Sequence, residues 1–109
     1  KLNRKVRVLA RKSALSAKAK EGKVIVVEDF TFDVPRTKDY LNVLEQFNLA
    51  NEKVLHMLPE VDANVFLACR NLRKAEVIRA TDFNVYEVIN AGTLLISESA
   101  VSKINEQLG

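Results

Sequence analysis

Tryptophan is missing altogether, cysteine and histidine occur once each, proline twice and glycine three times in 109 residues. The single cysteine, Cys69, excludes an intrachain disulfide framework and fits a reducing compartment. Phosphate-cradling loops need backbone without Cβ against the pyrophosphate, and Gly22, Gly92 and Gly109 form neither G-x-G-x-x-G nor G-x-x-x-x-G-K-[ST]. No dinucleotide or P-loop site is therefore expected. His56 stands alone inside the apolar run Val54–Leu58 and reads as a packed or edge residue, not a catalyst. No cluster has metal-ligand spacing, so neither a metal nor another cofactor is assigned. Apolar runs fall far short of the roughly 20 residues of a membrane span. Nothing reads as a signal peptide, and a cytoplasmic protein without membrane contact is expected.

What the chain does have is an uneven charge. Its formal +3 divides into +8 over residues 1–23, which hold nine basic side chains and one acid, and −5 over the remainder. A basic arm on a mildly acidic body points to a polyanionic partner. On a helical wheel Leu2, Val6, Leu9, Ala10, Ser13 and Ala17 share an arc about 100° wide. Arg4, Arg7, Arg11 and Lys18 cluster opposite, flanked by Lys1, Lys5 and Lys12. The expectation is an amphipathic helix over 1–22, stopped by Gly22, with the first arc on a core and the second on anions. Val8 and Leu15 fall within the basic arc, so that face is not purely ionic.

Beyond Gly22 the period changes. Lys23–Glu28 is a β-branched run expected to be a strand buried on both faces. Strands follow at Lys53–Leu58, Glu76–Ala80 and Thr93–Ser97. Helices capped by Thr37, by Asp62, by Asp82 or Asn84, and by Ser97 or Ser99 alternate with them. Strands separated by helices need crossovers. The fold class is thus α/β, a three-layer α/β/α arrangement with a four-stranded parallel sheet, preceded by the basic helix. One domain is expected over 1–109, with the helix at 1–22 and the body at 23–109. The sequence starts inside a helical pattern at Lys1, so it is read as a piece of a longer protein.

Cytoplasmic polyanions are most often nucleic acid. Arginine forks bridge phosphates, and Ser13 or Ser16 offers hydroxyls to them. Stacking-aromatic signatures are lacking, so backbone and shape recognition of folded RNA is favoured. The rival is a receiver-like acidic pocket at Glu28-Asp29, at the carboxyl end of the first strand. Such a site also wants a lysine ending the last strand, which reads Ile96-Ser97-Glu98.

The segment Leu2–Gly22, L-N-R-K-V-R-V-L-A-R-K-S-A-L-S-A-K-A-K-E-G, closely resembles the basic helix of bacterial large-subunit ribosomal protein four, of the uL4 family. Pro59–Asn71, Asn84–Asn90, the Pro35–Lys38 turn and Thr93–Gly109 match in order and spacing. The resemblance implies a non-enzymatic structural constituent of the large subunit that binds its RNA, touches neighbouring ribosomal proteins and supports assembly and translation. It implies a globular α/β/α part without the family's upstream tunnel-reaching extension, whose loss would expose a sheet edge or apolar patch. Some members also bind their own messenger leader, so a regulatory RNA-binding role is the alternative. Arg4, Lys5, Arg7, Arg11, Lys12 and Lys18 match the family's RNA-facing helix, and Ser13 and Lys20 join them as candidates from the residue reading. Val8 stands where many members carry arginine. Arg70 and Asn71 are a secondary RNA or protein contact, or simply a helix C-terminal cap.

Overall fold

The computed structural model describes residues 4–108. Helix α1 spans Arg4–Lys20, strand β1 Val24–Val27, α2 Thr37–Gln46, β2 Val54–Leu58 and α3 Ala63–Cys69. Then follow β3 (Ala75–Arg79), a 3-10 turn (Ala80–Asp82), α4 (Val85–Asn90), β4 (Thr93–Ser97) and α5 (Glu98–Leu108). Every strand pairing is parallel, in the order β1-β4-β2-β3. The expected three-layer α/β/α fold is what forms.

Two-residue periodicity distributes the strands between two cores. Leu55, Met57, Leu94 and Ile96 pack with Ala14, Phe83, Val88, Ala100 and Ile104, beneath α1, α4 and α5. Val54, Leu58, Val77 and Leu95 pack with Tyr40, Leu44, Val65, Ala68 and Cys69, beneath α2 and α3. The β-branched run of β1 is not buried on both faces as expected. β1 is an edge strand, only Val27 is buried, and Val26 stays 54% exposed. Burial on both faces goes instead to β2 and β4, the interior strands, whose five residues are all buried. Composition marks a strand; its place in the sheet decides how much of it is covered.

Local chemistry ends most helices where expected. Asp62 accepts from the backbone N–H of Asn64 (3.0 Å) and Val65 (3.1 Å). Asn84 and Glu87 close a reciprocal capping box at α4. Gly22 takes φ +72°, ending the turn after α1 as only glycine does cheaply. Two caps differ. Arg36 is the N-cap of α2 without a side-chain bond, and Thr37 is its first helical residue. Neither serine caps α5 alone: Asp29 accepts from the Ser99 N–H (3.0 Å) and from the Ser99 hydroxyl.

His56 is a core residue. It is fully buried, with Nδ1 against the Tyr40 hydroxyl (2.9 Å), Nε2 against Ser97 Oγ (3.2 Å) and Phe30 stacked at 5.5 Å. Burial pushes it down to about 4, so it is neutral near pH 7. Burial likewise pushes the Cys69 thiol up to about 11, an inert core sulfur.

Candidate nucleic-acid interface

Seven cations and no acid make up the charge of α1: Arg4, Lys5, Arg7, Arg11, Lys12, Lys18 and Lys20. Alanines at 10, 14, 17 and 19 favour the helix despite this repulsion. Among the described residues, none of these cations forms an ion pair with a carboxylate.

The helix sits the other way round from the wheel reading. Of the arc expected to face a core, Val6, Leu9, Ser13 and Ala17 are exposed, Leu9 by 56%, and Ala10 is half-buried. Leu2 lies outside the described residues. The seated side carries Ala14, buried in the core, with Leu15 packed beside it and Arg11 and Lys18 half-buried. It rests against α4 and α5. The physical reason lies in the cations themselves. Arg11 and Lys18 bury aliphatic stems and keep their charged ends satisfied. The Arg11 guanidinium lies over the Phe83 ring, 5.2 Å from its centroid. Lys18 Nζ donates to the carbonyl of Ala91, the residue that closes α4, where a cation is favoured. Small Ala14 between them permits close approach. Val8 and Leu15 in the basic arc were the signal for this seating.

The candidate residues therefore divide. Arg11 and Lys18 have intramolecular partners, whereas Arg4, Lys5, Arg7, Lys12, Ser13 and Lys20 are exposed. Arg4, Arg7, Val8 and Arg11 line a shallow cleft of about 220 Å³ along one ridge of the helix. Because α1 begins well before the Arg11–Phe83 contact, Arg4 and Arg7 stand one to two turns beyond it. Arg70 is the exposed C-cap of α3 and Asn71 the exposed residue after it, remote in sequence from α1.

The rival acidic pocket does not assemble. A cleft of about 300 Å³ opens at the carboxyl ends of the strands, lined by Asp29, Glu60, Asp62 and Ser97 among others. Its carboxylates are committed elsewhere: Asp29 caps α5, Asp62 caps α3, and Glu60 faces Arg79 at 3.9 Å. The Ser99 bonds hold the Asp29 carboxyl below its ordinary range. Among the described residues, no group of three or more His, Cys, Asp or Glu is placed to hold a metal ion.

Comparison with known proteins decides the family. The ribosomal protein L4/L1 family matches residues 1–107. The chain belongs to that family. Large ribosomal subunit protein uL4 of Phocaeicola vulgatus is 47% identical over 108 residues, covering 99% of this chain and 52% of the relative. The uL4 of Parabacteroides distasonis is 47% identical over 106 residues, 97% of this chain and 51% of that protein. The uL4 of Cytophaga hutchinsonii is 46% identical over 108 residues, 99% and 52% respectively. The chain thus spans about half the length of the relatives it matches. By name the three relatives are proteins of the large ribosomal subunit, and the match extends over the half of each that this chain covers. No described helix is long and apolar enough to cross a membrane.

Proposed function

We propose that this chain binds large-subunit ribosomal RNA through the outward side and first turns of α1, and so anchors the α/β body within the assembling subunit in the cytoplasm. The observation that carries this is a seventeen-residue helix with seven cations, no acid and no ion-pair partner among the described residues. Arg4, Lys5, Arg7, Lys12 and Lys20 supply the charge, and Ser13 a hydroxyl. Arg11 and Lys18 hold the helix in place. Neighbouring ribosomal proteins would meet the body beyond the RNA footprint, with Arg70 and Asn71 as one candidate contact.

Filter binding across a salt series tests this. Large-subunit RNA should be preferred over an unrelated structured RNA. Each phosphate contact contributes about −0.9 to the log–log salt slope on duplex. Arg4→Ala with Arg7→Ala should therefore flatten the slope by up to about two units. An unchanged slope removes the helix from the interface. Binding of its own messenger leader is the regulatory extension of the same surface, and competition between leader and ribosomal RNA distinguishes it.

A further inference from the structure

The net −5 of residues 24–109 is not spread evenly over the surface. An acid follows every strand: Asp29 after β1, Glu60 after β2, Asp82 after β3 and Glu98 after β4. A lysine immediately precedes three of the four: Lys23 before β1, Lys53 before β2 and Lys74 before β3. All strands run parallel, so these lysines gather at one end of the sheet. Their backbones are fixed there: the Lys23, Lys53 and Lys74 carbonyls accept from Leu94 (2.8 Å), Gly92 (2.7 Å) and Val54 (2.8 Å). With strands about 4.8 Å apart, the order β1-β4-β2-β3 sets Lys53 and Lys74 on neighbouring strands and Lys23 two strands away.

A cleft of about 180 Å³ opens at this end, lined by Lys53, Arg73, Lys74 and Tyr86 among others. Tyr86, on α4, is 74% exposed, the most exposed large apolar side chain among the described residues. Carboxylates are present as well. Glu52 meets Lys23 at 4.0 Å, an exposed pair that a phosphate exchanges at little cost. Glu76 and Glu87 lie against each other in the cleft. The last turn of α1, with Lys20, leads directly through Gly22 into Lys23. The basic surface of the helix is thus continuous with this end of the sheet.

We propose that the amino-terminal end of the sheet is a second RNA-binding surface, where Lys23, Lys53 and Lys74 hold phosphates and Tyr86 stacks an unpaired base. This rests on the reading that the chain binds RNA. An RNA segment leaving the helix at Lys20 would cross the strand entries towards α4. Arg73 stands beside the same path. Backbone contacts and a stacked base next to a duplex are what a junction or bulge offers.

Binding of a large-subunit RNA transcript to the 109-residue chain tests it, with two variant pairs measured in parallel. Lys53→Ala with Lys74→Ala should lower the salt slope by about two units, and affinity by about 50-fold at about 0.1 M salt. Tyr86→Ala should weaken binding about tenfold at an unchanged slope, and Tyr86→Phe should restore it. The chain has two tyrosines and no tryptophan, and Tyr40 is buried. Quenching of tyrosine fluorescence by a twelve-residue oligoadenylate therefore reports Tyr86, and should vanish in Tyr86→Ala. If the lysine pair and Tyr86→Ala bind as the parent does while Arg4→Ala/Arg7→Ala weakens binding, this surface is refuted and the helix reading stands. Failure of the parent to prefer that RNA refutes the reading beneath it instead. Equal binding of a polyglutamate peptide of matched charge would make the surface a protein-docking one and overturn the proposal.

Discussion

The seating of α1 makes a prediction opposite to the one its helical wheel makes. Ala14 is 6% exposed and part of the core cluster beneath α1, α4 and α5, while Leu9 is 56% exposed. Replacing Ala14 by Leu adds three carbons where Leu15, Phe83 and the strands already meet, and overpacking of this kind costs about 1–3 kcal/mol. Replacing Leu9 by Gln exchanges two residues of similar helix propensity on an open surface, and should stay within about 0.5 kcal/mol. For a domain near 100 residues, 1 kcal/mol moves the melting temperature by about 4–8 °C. Thermal melts by circular dichroism should therefore place Ala14→Leu several degrees or more below the parent, with Leu9→Gln within about 4 °C of it. If Leu9→Gln lost more than about 1 kcal/mol and Ala14→Leu were silent, the helix would be seated as the wheel has it. The division of its cations into anchoring and outward sets would then fall.

The buried histidine gives a pH test. His56 is held down at about 4 against an ordinary 6.5, so between those values the unfolded chain binds a proton that the folded one refuses. Stability is then full above about pH 7 and falls as the pH drops towards 4, by a total on the order of 3 kcal/mol. Urea titrations at pH 7.5 and 4.5 should show that loss, and His56→Phe should largely abolish the difference; a parent curve as flat as the variant's would contradict it. Asp29→Ala removes the carboxylate that caps α5 from the far side of the sequence, and should cost about 1 kcal/mol in the same titrations. Adding magnesium to the parent should not stabilise it, and a rise in midpoint with magnesium would reinstate a metal site at Asp29.

Element type and sequence order were legible because each strand is a short apolar run between polar breaks, and each helix carries its own periodicity. Asp62 was legible for the same reason, since a cap is a contact within one turn, and Asn84 was one of the two caps expected for α4. What could not be read depends on partners far away along the chain. Nothing in V-I-V-V says that β4 will pair with only one of its sides, leaving β1 at the edge. Nothing near Ser97 or Ser99 says that Asp29 will cap α5. For α1 the wheel ranks residues by polarity, whereas the seat made use of long cationic stems, a phenyl ring at Phe83 and a free carbonyl at Ala91. The basic end of the sheet was not read from the sequence, which placed Lys23 and Lys53 inside their strands and began the third at Glu76. It became a surface only with the strand bounds and the order β1-β4-β2-β3 in hand.

The edge position of β1 and the seat of α1 share a consequence for biosynthesis. The first strand pairs only with the fourth, some 70 residues later in the chain, and α1 rests on α4 and α5, the last helices to be made. A nascent chain therefore emerges with its basic helix already translated and nothing for that helix to lie on. Until α4 exists, Arg11 has no Phe83 beneath it and Lys18 no Ala91 carbonyl. All seven cations are then unseated. Closure of the body afterwards seats two of them, so on the proposed RNA-binding reading the order of synthesis presents a broader basic surface first and a narrower one at the end. Such late, long-range closure also makes folding slow relative to local helix formation.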